Sequence, residues 1–255
     1  MSERKFVFFD IDGTLTNQEL GGIVLPSTKI ALQKLRENGH FIALATGRAH
    51  FYAKSFKDEH GFEHMVSDGG NGLTMDNQLL GIEPLDHDKA LRVIDECIAK
   101  NIPVSVGCGD RPVTYVLENA ELVDKLGIRK EIIRVSNFND VKDICKIFID
   151  ATKEQEKELK SIHEIGYLSH PDLGVIVEPL DKFKGIRKMV ALQGGNLADV
   201  VVFGDAENDI SMMKQAAISI AMGNAIDEVK AIATFVTKRN DDDGIYYACE
   251  KFGWI

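Results

Sequence analysis

Phe6-Val7-Phe8-Phe9 is apolar at every position, so both faces of a strand built from it must be covered. Strands of that kind occur almost only in parallel sheets with helices packed on both sides. The same texture fills Phe41–Ala45 and most of Asp199–Phe203, with shorter versions at Met65–Ser67 and Ile218–Ala221. Between these runs, apolar residues recur at helical spacing. Pro26-Ser27-Thr28 opens one such stretch, Ile30, Leu32 and Leu35 give it a stripe, and Gly39 closes it. Another helix is expected through about Asp58, and Leu73–Leu80 reads as a hairpin turning at Asp76-Asn77. Buried runs alternating with helices predict an α/β fold, a Rossmann-like domain around a parallel sheet.

After Pro84 the pattern changes. A helix over Asp88–Lys100 is followed by short runs at Val104–Val106 and Thr114–Leu117, then a helix near Asn119–Leu126. Lys146–Ile149 reads as a strand, Lys153–His163 as a charged amphipathic helix, and Gly166–Ser169 and Gly174–Glu178 as two more strands. Strands joined by tight turns suggest antiparallel pairing, hence a separate α+β module. The parallel pattern resumes with a helix from Lys184. The expected organisation is a catalytic core formed by 1–82 and 181–255, interrupted by an inserted α/β cap domain at 83–180. A length of 255 residues suits one large domain or two modest ones.

A net charge of −10 argues against nucleic acid or an anionic membrane surface as partner, since both reward a basic face. It leaves a phosphate substrate open, because a metal ion and a few local cations suffice for one. Cys97, Cys108, Cys145 and Cys249 form no C-x-x-C pair and read as reduced, buried thiols. Phe6–Phe9 is too short for a signal-peptide core, and no run approaches the ~20 apolar residues of a membrane span. A cytoplasmic location is the expectation, with nothing demanding more than a monomer or a weak homodimer.

Ligands of open parallel sheets bind beyond the carboxyl ends of the strands, and four polar clusters fall there. Asp10-Ile11-Asp12-Gly13-Thr14-Leu15 ends the first strand with two carboxylates. They project to the same side if the chain stays extended. Like charges that close need a cation or a retained proton; alone, the pair could also be turn aspartates around Gly13. Thr46-Gly47-Arg48 offers a hydroxyl and free N–H groups at a strand-to-helix turn, an anion site or simply a Thr46 helix cap. Lys182-Phe183-Lys184-Gly185 opens a later helix with lysines able to balance a phosphoryl charge. Gly204-Asp205-Ala206-Glu207-Asn208-Asp209 follows another buried strand with carboxylates suited to a hard ion such as Mg²⁺, and Glu207 is expected to face solvent.

Together and in this order, the clusters resemble the four motifs of the haloacid dehalogenase-like phosphohydrolases. Met222-Gly223-Asn224-Ala225, Asn240-Asp241-Asp242-Asp243-Gly244 and the large insertion are similar to the Cof-type subgroup. One departure is Ser67-Asp68-Gly69-Gly70-Asn71-Gly72, where the subgroup has a plain Asn-Gly; Asn71-Gly72 is the alignment adopted.

The resemblance implies a Mg²⁺-dependent phosphatase acting on a small phosphorylated metabolite, such as a sugar phosphate, through an aspartyl-phosphate on Asp10. Asp12 would be the general acid and base. Thr46, Gly47, Lys184 and Asn208 would bind the phosphoryl group, with Lys182 as the alternative lysine. Asp10, the backbone carbonyl of Asp12, Asp205 and Asp209 would hold Mg²⁺. The cap is expected to close over the site and to contact substrate, with Arg111, His163 and His170 as its polar residues of interest. Rivals are a phosphomutase of the same superfamily and a non-catalytic sensor of a phosphometabolite. A receiver domain lacks the Asp-x-Asp pair, and no G-x-G-x-x-G follows the first strand to suggest a dehydrogenase.

Overall fold

The computed structural model describes residues 4–17, 22–120, 131–170 and 173–255. By its internal contacts the chain divides into two compact units. One comprises Met1–Arg48, Ala53–Leu80 and Asp181–Ile255, and the other Ala49–Tyr52 with Gly81–Leu180.

The first unit carries β1 (Phe6–Phe9), α1 (Pro26–Glu37), β2 (Phe41–Ala45), most of α2 (His50–Glu59), β3 (Met65–Ser67), β4 (Gly72–Met75) and most of β5 (Gln78–Ile82). The second carries α3 (His87–Ala99), β6 (Val104–Cys108), β7 (Val113–Leu117), β8 (Glu131–Val135), β9 (Ile144–Ile149), α4 (Lys153–Glu158), β10 (Tyr167–His170) and β11 (Gly174–Val177). The chain then returns to the first unit with α5 (Lys182–Leu192), β12 (Val200–Gly204), α6 (Ile210–Gln215), β13 (Ile218–Ala221), α7 (Asp227–Ile232), β14 (Phe235–Val236) and α8 (Gly244–Lys251).

Eight strands of the first unit form one sheet in the order β14-β13-β12-β1-β2-β3-β4-β5. It is parallel from β14 to β3 and turns antiparallel at β4. Every residue of β1, β2 and β12 is buried. The alternate residues feed two cores, Val7, Phe9 and Phe203 in one and Phe6, Phe8 and Val202 in the other. This is the two-sided burial that the all-apolar runs demand, and it places the carboxyl ends of β1, β2 and β12 side by side.

The second unit is a six-stranded sheet in the order β10-β11-β9-β6-β7-β8. Its pairs are antiparallel except β7 with β8, which run parallel. Two expectations differ here. The amphipathic stretch from Lys153 leaves the helix at Leu159 (ψ 112°), which is buried, and continues as a short 3₁₀ turn at Ser161–Glu164. β8 was not anticipated; Ile132 and Arg134 are exposed and alternate with half-buried Ile133 and Val135, but an apolar Ile132 on the exposed side hides that alternation in the sequence. The helix expected near Asn119–Leu126 falls mainly outside the described residues. All four cysteines are free and buried, and among the described residues no helix is long and apolar enough to cross a membrane.

Candidate active site

The chain does not stay extended past Asp10. It turns at once through Ile11–Leu15, with Gly13 at φ +82°. The simple i, i+2 geometry therefore does not apply, and the two aspartates acquire different partners. Asp10 is buried and accepts a hydrogen bond from Lys182 Nζ at 2.6 Å. Asp12 accepts two from the Arg48 guanidinium, Nε to Oδ2 at 2.7 Å and Nη2 to Oδ1 at 2.5 Å.

Lys182 is wholly buried and donates equally, at 2.6 Å, to Asp209 Oδ1. Asp209 is also wholly buried. Its Oδ2 accepts from the backbone N–H groups of Asp205 and Ala206 at 2.9 and 3.1 Å, fixing the turn after β12. Asp205 accepts from Thr14 Oγ1 at 2.6 Å. A methyl group on Gly13 would lie 2.2 Å from Asp205 Oδ2, so only glycine lets that carboxylate settle over the turn after β1. Carboxylate oxygens of Asp10, Asp205 and Asp209 lie within 4.8 Å of one another. The trio can hold a metal ion.

The electrostatics carry the mark of that crowding. Burial, together with the charges of Asp209, Asp205 and Asp12, pushes Asp10 well above the ordinary carboxylate range, against the pull of Lys182. Burial and Asp209 raise Asp205 to about 7. Burial opposes the charge on Lys182, yet Asp10 and Asp209 outweigh it and hold the ammonium above its usual value.

A match to a known family covers nearly the whole chain. A profile of the haloacid dehalogenase-like hydrolases matches residues 7–249. The chain belongs to that family. Among its relatives, the hydrolase is 29% identical to YkrA, a candidate phosphatase of Bacillus subtilis, over 99% of both chains. It is 26% identical to the 5-amino-6-(5-phospho-D-ribitylamino)uracil phosphatase YwtE of Bacillus subtilis, over 95% of this chain and 96% of the relative. The solved structure of the HAD subclass IIB sugar phosphatase BT4131 superposes with a TM-score of 0.82 at 28% identity, covering 98% of this chain and all of that one. The haloacid dehalogenase-like hydrolase described here is a phosphatase.

The other residues singled out in the hydrolase's sequence sort as follows. Thr46 is buried at the end of β2, and its Oγ1 accepts from the Arg48 N–H at 3.1 Å. Since α2 begins only at His50, Thr46 is a turn residue and not a helix cap. Gly47 lies between them in the same turn. Asn208 holds a buried Oδ1 with no hydrogen-bond partner among the described residues. Glu207 is exposed, as expected. Arg111, His163 and His170 belong to the inserted unit.

The two candidate lysines are placed apart. Its Nζ donates to Asn71 Oδ1 at 2.9 Å, away from Asp10, and Lys182 occupies the acidic cluster instead. Two residues apart on a helix, the side chains cannot share a face. The signal was present in the apolar stripe of α5, because Lys182 is in phase with buried Ile186, Met189 and Val190 and Lys184 is not. The glycine-rich loop after β3 passes close to this helix start. At Gly70 (φ +115°) a side chain would meet the Asp181 carbonyl oxygen at 2.1 Å.

Asn224 and Asn240 brace the turn that follows Asp10. Asn224 Nδ2 donates to the Gly13 carbonyl at 2.8 Å, and its Oδ1 accepts from the Asn240 N–H at 3.0 Å. Asn240 Nδ2 donates to the Thr16 carbonyl at 2.8 Å. They satisfy backbone carbonyls of the turn that follows Asp10 and so hold it in shape.

Proposed function

We propose that the protein hydrolyses a small phosphate monoester, a sugar phosphate or similar metabolite, through an aspartyl-phosphate on Asp10 and with Mg²⁺ as cofactor. The observation that carries this reading is the cluster of Asp10, Asp205 and Asp209, two of which, Asp10 and Asp209, share the buried ammonium of Lys182. One lysine among three carboxylates leaves an excess of two negative charges, the amount a divalent cation neutralises. The donor set is all oxygen, which suits Mg²⁺ better than a softer metal.

Asp10, Asp205, Asp209 and the backbone carbonyl of Asp12 would hold the ion. When bound, Mg²⁺ offsets the charge of the nucleophile and of the phosphoryl oxygens. The chain's own groups do the rest. Asp10 attacks phosphorus and the ester oxygen leaves, taking a proton from Asp12. Water then attacks the phosphorus of the acyl phosphate, giving its proton to Asp12, and phosphate departs with Asp10 restored. Lys182, the Thr46 hydroxyl, the Gly47 turn and Asn208 offer donors to the phosphoryl oxygens as charge develops on them. Asn208 would donate through Nδ2; its buried Oδ1, which has no partner among the described residues, is an acceptor and would face a donor instead.

Relatives named as 5-amino-6-(5-phospho-D-ribitylamino)uracil, pyridoxal phosphate and sugar phosphatases support a small polar phosphometabolite as the substrate class. Phosphate release from p-nitrophenyl phosphate and a panel of metabolite phosphates, with Mg²⁺ or EDTA, tests the proposal. Release is expected only with the metal and only from the wild-type protein, not from Asp10→Asn. A folded wild-type chain that binds Mg²⁺ yet frees no phosphate from any ester defeats it.

A further inference from the structure

Arg48 has no role in that scheme, yet it makes the paired contact that fixes Asp12. Nε and Nη2 reach separate oxygens of the carboxylate at 2.7 and 2.5 Å, a fork-to-fork arrangement that sets both position and plane. Among the described residues the Asp12 carboxylate has no other hydrogen-bond partner. Asp12 itself sits on a turn, with φ −79° and ψ 116°, and its side chain is 27% exposed, so the guanidinium is its polar hold among the described residues.

The arginine is well anchored. Its side chain is only 13% exposed, and its guanidinium carbon lies 5.7 Å from the centroid of the Phe56 ring. Its N–H donates to Thr46 Oγ1, and its carbonyl accepts from the Asp68 N–H at 2.9 Å. A rigid donor pair thus meets a carboxylate that has no other hydrogen-bond partner among the described residues. Lysine, a point charge on a flexible stem, could not fix that plane.

We propose that Arg48 is a positioning residue: it grips one edge of the Asp12 carboxyl, and the proton that Asp12 takes from solvent sits on the remaining lone pair of one oxygen, from which it passes to the leaving oxygen. The inference rests on the phosphatase reading of the same pocket and adds a residue to it. Its consequence is selective. A nitrophenolate departs without help, whereas an alkoxide needs the proton, so only poor leaving groups should depend on how Asp12 is placed.

The test measures kcat/KM for p-nitrophenyl phosphate and for an alkyl ester, glycerol 2-phosphate, with Mg²⁺. The proteins are wild type, Arg48→Ala, Arg48→Lys, Asp12→Asn and the double variant Arg48→Ala with Asp12→Asn. In Arg48→Ala the alkyl ester should lose about a hundredfold and the nitrophenyl ester less than about tenfold, and Arg48→Lys should not restore the difference. The double variant should be no slower on the alkyl ester than Asp12→Asn alone, since the arginine would act through that aspartate. The ratio of the two substrates is internal to each protein, so a partly folded variant does not obscure it. Equal losses on both esters, or additive losses in the double variant, overturn the role of Arg48 and leave the phosphatase reading standing. A wild-type chain that cleaves neither ester overturns both.

Discussion

In the Lys182→Met protein, turnover of the best phosphate ester falls by about a thousandfold, while Lys184→Met costs less than about tenfold. The contrast follows from where the two ammonium groups lie. Lys182 is fully buried between Asp10 and Asp209, at 2.6 Å from each, and Lys184 is partly buried on Asn71. Methionine keeps much of the bulk of Lys182 but removes both hydrogen bonds and the charge. The phosphoryl group then loses a cation in a site shielded from water, where such a contact has its largest effect.

Stability responds too. Two buried carboxylates left without their partner cost about 3 kcal/mol in the metal-free protein, a loss that added Mg²⁺ should partly reverse. Steady-state kinetics and thermal unfolding of the two variants, with EDTA and with Mg²⁺, read both effects. Loss of activity in Lys184→Met with retention in Lys182→Met would return the role to Lys184.

Asp205→Asn should move stability and activity in opposite directions. Burial and the neighbouring Asp209 raise Asp205 to about 7, and Asp10 is displaced the same way. In the unfolded chain these groups ionise in the ordinary carboxylate range. Between that range and about 7 the folded protein therefore binds more protons than the unfolded one. Stability is full below the ordinary range and is lost as pH rises through about 7. In EDTA, the unfolding midpoint of the wild type should fall between about pH 5 and pH 8.

Asparagine keeps an oxygen for the Thr14 hydroxyl but has no proton to lose, so its decline should be shallower. At pH 8 the variant should be the more stable protein, by on the order of 2 kcal/mol. Its Mg²⁺-supported activity should nonetheless drop by more than about a hundredfold, because a residue proposed to hold the ion is gone. Thermal unfolding at the two pH values decides the first part. Parallel midpoints for the two proteins would mean that Asp205 is not strained by its neighbours.

How much of this was readable without coordinates depended on whether a residue's role is set locally. The all-apolar runs at β1, β2 and β12 forced two-sided burial, and burial on both faces forced helices around a parallel sheet. The clusters at Asp10, Thr46 and Asp205 followed because such strands deliver their next residues to a common edge. For the lysines, proximity to Gly185 points to Lys184 and helical phase with Ile186, Met189 and Val190 points to Lys182, the one that is buried beside Asp10.

Other features were not local at all. The Arg48–Asp12 pair joins turns 36 residues apart, and Asn224 reaches back 211 residues to Gly13. No spacing rule carries that information. β8 escaped notice because apolar Ile132 takes an exposed position and masks the alternation, and the break at Leu159 has no glycine or proline to announce it. In each of these cases tertiary contacts override what the nearest neighbours in the chain prefer.

The most direct measurement is acid quenching during turnover with Mg²⁺ and the best ester, followed by digestion and mass spectrometry. Wild-type protein should carry the phosphoryl group on the peptide containing Asp10, at that residue, and the Asp10→Asn protein should carry none. Phosphate release by an enzyme whose Asp10 never becomes phosphorylated, or a phosphoryl group trapped on a different residue, would contradict Asp10 as the nucleophile.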